Sequence, residues 1–513
     1  MNQTNWKPNP SDTVFSVGLI LVLLAFFLIN PETIPAGNGF GYDGVLYARM
    51  VAEIDQMIAN GELSMYYAQR ILPSVLVRFG LSSLGMPLDA AHIILGFRVL
   101  NFLSIAMSLV FWMAIARRIE ITRTAYWIGF AGLFLIFPNA KQAFYYPVTT
   151  DTFAFMIGLA LVWAHISERL VFLTAFTIIG SFAWQISGLV GTILILSTLV
   201  KGDPLRRPIA AFTPHAYKMA NIVVLSGFTF LAILAGSVFL AGIDIGVLVN
   251  GVRLDYDPAL RFLTNIPMLA IVSVFLVRLY MNVLSSGWRL SVGIKHLALV
   301  VLLVFSISII PPLVMENISN PLLPPPGIAA DGYVETLRDL LVSKVRDKFV
   351  LLPLLAHSVY YGPVFVLFVL LWREIASVTV RFGIGFVLVI SLFAVVSVFA
   401  ESRFSFLFWP FAVVVASKAI STKILPRSIL FLFALASAYY SKIWLKINQA
   451  EWPLPGFSAL FEWPKSVYFS HLGPFMNGES YVMQGAVVSV MFAVLFFSLR
   501  DKDSATAAGG DRI

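Results

Sequence analysis

The sequence predicts an all-α polytopic membrane protein, a bundle of about 12–14 transmembrane helices. Of its 513 residues, 59% are hydrophobic and only 12% are charged, whereas roughly a quarter are charged in a typical soluble domain. Apolar runs of about 17–25 residues, the length that crosses a hydrocarbon core of roughly 30 Å, recur from end to end. Barrel strands would be about 10 residues long and alternate in polarity, so these runs indicate helices.

Fourteen apolar segments are candidates for membrane-embedded helices. They cover residues 14–30, 91–116, 124–138, 151–166, 170–186, 188–200, 219–241, 267–283, 296–311, 354–372, 382–400, 404–419, 428–446 and 482–499. The first lacks a basic region before it and a small-residue cleavage site, so we expect it to be a retained anchor. A polar tail, residues 500–513, follows the last segment.

Lysine and arginine are distributed unevenly between the predicted loops. With the N-terminus placed inside, the inner loops contain most of them: Arg117, Arg118, Arg123, Lys201, Arg206, Arg207, Lys218, Arg289, Lys295, Arg373, Arg381, Lys418, Lys423 and Arg427. The short outer loops contain little more than Lys141, Arg253, Arg261 and Arg403. By the positive-inside rule, both termini face the cytoplasm. The net charge of +8 therefore reports orientation and does not indicate nucleic-acid binding.

This orientation places three long connections outside: residues 31–90, 312–353 and 447–481. The first predicts two amphipathic helices along the membrane surface, because apolar residues recur at helical spacing on one side and charges on the other. The second opens with prolines that preclude a continuous helix, followed by a candidate interfacial helix from Asp331 to Phe349. The third contains tryptophans and tyrosines, which favour the lipid headgroup level.

Three acids lie at the predicted outer face: Asp43, Asp151 and Glu401. Charges at or within a membrane are costly, and this makes them functional candidates. Arg98, inside the second segment, is a candidate for the same reason. Without cysteine, neither a disulfide, a thiolate metal site nor a cysteine nucleophile is available.

Each candidate also has a structural explanation. Asp151, after Thr149 and Thr150, could cap a helix, and Asp43 between glycines could be a turn residue. Glu401 and Arg403 could pair with one another. Arg98 could be the partner of a nearby acid.

A sugar carried on a lipid phosphate would explain this arrangement chemically. Its tail requires hydrocarbon, its phosphate requires cations, and its sugar requires water and a base. A carboxylate that removes the proton of an acceptor hydroxyl contributes about 10²–10⁴ in rate. Arginine or lysine would stabilise the departing lipid phosphate.

The order of these parts resembles the GT-C superfamily of integral-membrane glycosyltransferases. Gly41-Tyr42-Asp43-Gly44 matches the acid of the first outer loop in that family, and Tyr67-Ala68-Gln69-Arg70-Ile71-Leu72-Pro73 resembles its Arg-Xaa-Xaa-Pro stretch. Tyr145-Tyr146-Pro147-Val148-Thr149-Thr150-Asp151 resembles the second acidic site. Glu401-Ser402-Arg403-Phe404 is similar to the late outer-face motif of bacterial members.

The resemblance implies a role for each candidate. Asp43 would be the general base and Asp151 a second acid. The residues implied in binding the donor phosphate are Arg70, Arg403, Arg98 and Lys348, and those implied in positioning substrate are Tyr42, Tyr146 and Glu401. Members often carry two adjacent acids, whereas Asp43 precedes Gly44; a divalent metal is therefore doubtful, and we assign no metal ligand and no cofactor.

The resemblance also implies the reaction and its place. We expect an inverting glycosyltransferase that moves a sugar from a polyprenyl-phosphate donor to a glycan, lipid or protein hydroxyl at the periplasmic face of a bacterial inner membrane. Residues 1–240, with loop 31–90, would form the catalytic module, and residues 241–499 a variable transmembrane module. A sugar-lipid transporter or flippase and an O-antigen polymerase or ligase are the alternatives. Membrane lipids are expected partners, and nucleic acid is not.

Overall fold

A computed structural model describes residues 10–29, 31–201, 258–286, 289–290, 293–320, 323, 351–423, 428–445 and 478–500. The predicted segment 219–241, the proposed module boundary at residue 240, the predicted helix 331–349 and most of loop 447–481 lie outside these ranges. Within them the chain is helical, apart from an antiparallel pairing of Val200–Lys201 with Arg289–Leu290.

The α-helices, numbered along the chain, are α1 Pro10–Ile29, α2 Gly44–Ala59, α3 Met65–Ala68, α4 Ile71–Ser83, α5 Ala90–Ile119, α6 Arg123–Phe134, α7 Ala143–Tyr145, α8 Asp151–Ile166, α9 Leu170–Ser181, α10 Ser187–Ser197, α11 Pro258–Ser285, α12 Ile294–Ile318, α13 Leu352–Tyr361, α14 Pro363–Leu370, α15 Trp372–Arg381, α16 Ile384–Val396, α17 Trp409–Ile420, α18 Ser428–Ser441 and α19 Gly478–Arg500. Short 3-10 turns cover Ala36–Gly39 and Ser402–Ser405, and a π turn covers Pro138–Gln142.

Among the described residues, five helices are long and apolar enough to cross a membrane: α1, α5, α12, residues 266–284 of α11 and residues 481–499 of α19. The pair α14 and α15, bent by 86° at Leu371, would be a sixth. The prediction of a multi-pass helical membrane protein is confirmed. The larger number of spans is not shown, because several predicted segments form shorter helices. The 16-residue helix α8, for example, is about 24 Å long at 1.5 Å per residue.

The segment between α1 and α5, predicted to be the first outer loop, contains the two predicted amphipathic helices, α2 and α4. They pack on each other, and Arg78 of α4 joins them by donating hydrogen bonds to the carbonyls of Val51 and Ala52 and to the carboxylate of Asp55. The loop is therefore an ordered layer over one end of the bundle.

Two predicted boundaries were wrong. Pro311 and Pro312, expected to open an irregular loop, lie inside α12, which continues to Ile318; prolines are tolerated in membrane helices when neighbouring groups satisfy the freed carbonyls. The segment predicted at 354–372 is interrupted at Gly362, whose φ of +69° favours glycine.

A close helix contact brings the late part of the chain to the start of α8. Gly158 of α8 faces the backbone of Leu407, where an added Cβ would lie 2.5 Å from the carbonyl oxygen. The segment from Ser402 to α17 can therefore lie directly against α8. This contact places Arg403 beside Asp151.

Candidate active site

Arg403 lies between Asp43 and Asp151, and its guanidinium binds both carboxylates. Nε and Nη2 donate to Oδ1 and Oδ2 of Asp151 at 3.2 and 3.3 Å. Nη1 and Nη2 both donate to Oδ2 of Asp43 at 3.2 Å. Arg403 therefore binds acids from two distant parts of the chain, whereas its neighbour Glu401, the alternative partner, makes a smaller electrostatic contribution.

The local structure of each acid explains its position. Asp43 directly precedes α2, and Asp151 is the first residue of α8. Thr150 takes the helix-capping position, and neither Thr150 nor Asp43 makes a side-chain capping hydrogen bond. The capping explanation for Asp151 was therefore wrong, although a carboxylate in the first turn also benefits from the helix dipole.

The two acids differ in exposure and in how they bind. The side chain of Asp151 is 3% exposed and uses both oxygens, whereas that of Asp43 is 40% exposed and uses one. The side chain of Arg403 is 10% exposed. Burial opposes the charge on Arg403, but the carboxylates of Asp151 and Asp43 raise its pKa well above the usual value. Arg403 is therefore a permanent cation.

The glycines around Asp43 are required by packing against Tyr146. Gly41 has φ +78°, and an added Cβ would lie 2.1 Å from the Tyr146 ring. A Cβ on Gly44 would lie 2.8 Å from the carbonyl oxygen of Val148. The Tyr146 hydroxyl accepts hydrogen bonds from the backbone N–H groups of Tyr42 and Asp43 at 3.0 and 3.1 Å. Tyr146 therefore fixes the backbone at Asp43.

Arg70 is a second cation near this cluster, and it is 2% exposed. Its guanidinium lies between the rings of Tyr66 and Trp184, 4.2 and 4.4 Å from their centroids, an arrangement that favours a cation. Nη1 donates to the Tyr47 hydroxyl at 3.2 Å, whereas the buried Nε has no acceptor among the described residues. Arg70 is therefore held in place with hydrogen-bonding capacity unused.

Electrostatic interactions connect Arg70 to the cluster. The positive charges of Arg70 and Arg403 repel each other. The negative charge of Asp43 disfavours ionisation of the neighbouring Tyr66. Burial, with smaller contributions that include Asp43, raises the pKa of Tyr66 to about 12. Its phenol is therefore neutral at physiological pH. The charged groups that interact here include Arg70, Arg403, Asp43 and Asp151, with a smaller contribution from Glu401.

A polar latch, formed by His357 and Tyr361 of α13, fixes the turn that carries Arg403. The His357 ring contacts Ser402 Oγ at 2.9 Å through Nδ1 and the Ser397 carbonyl at 3.0 Å through Nε2. The Tyr361 hydroxyl donates to the Ser402 carbonyl at 2.8 Å. Sequence reasoning missed these residues; the available signal was a histidine within the apolar segment 354–372, which the structure buries completely.

Of the four remaining candidates, three lie in the described residues and one does not. Arg98 donates to the carbonyls of Glu32 and Phe144 and to Thr33 Oγ1, and so ties the segment after α1 to α7. Glu401 begins the turn that contains Arg403. Tyr42 is 37% exposed beside Asp43, whereas Lys348 lies outside the described residues.

In the described parts of the chain, no group of three or more histidine or acidic side chains is arranged to hold a metal ion. No family model matches the chain, and neither a curated protein nor a solved structure is significantly similar to it.

Proposed function

We propose that this protein is a membrane glycosyltransferase that takes its sugar from a lipid-phosphate donor and transfers it, with inversion, to a hydroxyl group. The observation that carries the proposal is the cluster of Asp43, Asp151 and Arg403 at the end of the bundle covered by α2 and α4. It combines a partly exposed carboxylate, able to act as a base, with a cation able to bind a phosphate.

In the proposed reaction, Asp43 accepts the proton of the acceptor hydroxyl as its oxygen attacks the anomeric carbon. The new carbon–oxygen bond forms as the bond between that carbon and the phosphate oxygen breaks. The electron pair of the broken bond stays on the polyprenyl phosphate, whose charge Arg403 and Arg70 stabilise. Attack opposite the leaving group inverts the anomeric centre. Water finally takes the proton from Asp43.

Asp151 acts differently from the role expected of it. Because its carboxylate is buried and engaged by Nε and Nη2 of Arg403, we assign it the positioning of Arg403. Direct contact with acceptor or donor is left to the more exposed Asp43. The site would face the periplasm of a bacterial inner membrane, with both termini in the cytoplasm.

The alternative of a transporter finds less support. Transporters place polar groups and substrate sites at broken helices near the membrane midplane. The bend between α14 and α15 instead borders an apolar cavity, lined by residues such as Phe365, Phe368 and Trp372. None of the residues that line this cavity is charged, and the charged cluster is formed instead by Asp43 before α2, Asp151 at the start of α8 and Arg403 before α17.

A genetic experiment tests the proposal. Surface glycans from a strain lacking this protein are compared by mass spectrometry with those of the same strain complemented by wild type or Asp43→Asn. We expect a sugar residue to be absent from the deletion strain, restored by the wild type and not restored by the variant. Restoration by an Asp43→Asn protein present at the wild-type level would refute the proposal.

A further inference from the structure

The two edges of the Arg403 guanidinium are occupied unequally. The side edge, formed by Nε and Nη2, makes a two-point contact with both oxygens of the buried Asp151. The end edge, formed by Nη1 and Nη2, converges on Oδ2 of Asp43 alone. The first contact fixes the arginine, and the second occupies the edge that remains.

These two contacts differ in how easily they are exchanged. A buried ion pair is costly to break, because it leaves an uncompensated charge. Asp43, with a side chain 40% exposed, forms a pair that water screens and that contributes little to stability. The end edge of an arginine presents two N–H groups in the geometry that a phosphate also accepts. Asp43 therefore occupies the position that suits an incoming phosphate.

We infer that Asp43 covers the phosphate site of Arg403 in the unliganded protein and that the phosphate of a lipid carrier displaces it. Asp151 keeps the arginine in place during this exchange. Arg70 is the second cation, since its buried Nε has no acceptor among the described residues. The identity of the ligand rests on the proposed function, whereas the exchange rests on the contacts of Arg403.

The exchange would couple donor binding to activation of the base. While Asp43 accepts two hydrogen bonds from Arg403 on Oδ2, that oxygen is occupied and held against the arginine. Once phosphate takes the Nη1 and Nη2 groups, the carboxylate is released beside the donor sugar. The base then acts only when the donor is in place, and acceptor activation in an empty site is avoided.

Binding measurements on the purified full-length protein test this inference without requiring activity. The probes are a short-chain polyprenyl phosphate in detergent and inorganic phosphate, titrated against wild type, Asp43→Asn, Asp151→Asn and Asp55→Asn. Asp55 is the matched control, because it is an exposed acid of α2 that pairs with Arg78 and makes no contact with Arg403.

We expect Asp43→Asn to bind polyprenyl phosphate about 2- to 5-fold more tightly than wild type, the range expected when an exposed ion pair no longer competes. Asp55→Asn should bind as the wild type does, and Asp151→Asn should bind more weakly. Inorganic phosphate should show the same ratios, because the exchange involves only the phosphate. The Asp43→Asn comparison stands by itself if Asp151→Asn fails to fold.

Unchanged or weaker binding by Asp43→Asn would overturn the exchange. An equal gain in phosphate affinity in Asp43→Asn and Asp151→Asn would also overturn it, because removal of either negative charge would then be enough to reduce repulsion of the phosphate. Tightening seen only with the lipid would show that the head group is not what is exchanged. A protein that transfers sugar without the tightening would refute the exchange alone, and tightening without transfer would refute the proposed function alone.

Discussion

Two of the carboxylate–arginine contacts in the described residues have opposite patterns of burial. In the pair between α1 and α6, Asp12 has a fully buried side chain, and Arg123, 60% exposed, binds it at 2.8 Å. In the candidate active site, Arg403 is the buried member, and the partly exposed Asp43 is one of two acids bound to it.

This reversal distinguishes a contact that joins helices from a site that can meet a ligand. A buried acid covered by an arginine holds α1 to α6 and presents only a cation to solvent. A buried arginine that binds one buried and one partly exposed acid leaves a carboxylate, able to accept a proton, at the surface beside a fixed positive charge. Substitutions in the two clusters should therefore separate stability from activity.

The largest effect is expected from Asp43→Asn. If Asp43 is the general base, as proposed, its loss should lower sugar transfer by about 10²–10⁴, while the partly exposed side chain leaves the fold intact. Transfer rates and thermal unfolding of the purified protein check this. The control, Asp12→Asn, should lower the melting temperature and leave the rate per folded molecule unchanged. Equal rate losses in both variants would end the assignment of Asp43.

Arg403→Gln should follow, with a loss of about 10²–10³ in transfer, the range measured when one preorganised donor to a developing charge is removed. It should also destabilise the protein by about 3–5 kcal/mol, because Asp151 is left buried without its partner. Arg123→Gln likewise removes a partner of a buried acid, Asp12. It therefore measures the loss of stability without a change at the candidate active site. If Arg123→Gln lowered transfer as much, the loss in Arg403→Gln would reflect unfolding.

A smaller effect is expected from the polar latch. His357→Phe removes the contacts of His357 with Ser402 in the Arg403 turn and with the Ser397 carbonyl before it. It should raise the donor KM about tenfold, equivalent to roughly 1.4 kcal/mol, at the upper end for a lost hydrogen bond. His357→Gln, which keeps a donor and an acceptor, should recover part of this. His165→Phe is the control, because His165 contacts the Phe382 carbonyl. A KM change in His165→Phe of similar size would remove the positioning role.

The smallest effects concern the glycines. Gly41→Ala places a Cβ against the Tyr146 ring at a positive φ and should destabilise the protein by about 1–3 kcal/mol, the range for local backbone strain. Gly80→Ala in α4 meets no atom within 4 Å and should stabilise it by about 0.5–1 kcal/mol. Thermal unfolding in detergent checks both. A neutral Gly41→Ala would show that the Asp43 loop is not fixed by Tyr146.

The sequence was sufficient to predict the two amphipathic helices after α1, because periodicity is a local property, and the cost of charges singled out Asp43 and Asp151. It also singled out Arg403, but it did not indicate that these two carboxylates bind the guanidinium. Neighbours along the chain suggested Glu401, whereas the close approach at Gly158 brings Arg403 to Asp151, and no local pattern reports such an approach. The stacking of Trp184 on Arg70 and the His357 contacts were missed for the same reason, since they join distant segments.

The most direct measurement follows a labelled sugar on its lipid carrier in vesicles containing only this protein and an acceptor. We expect a new glycosidic bond of inverted configuration and one released polyprenyl phosphate for each sugar transferred, and almost none of either with Asp43→Asn. Movement of the intact sugar-lipid across the bilayer, with no new bond, would contradict a transferase built on Asp43 and Arg403.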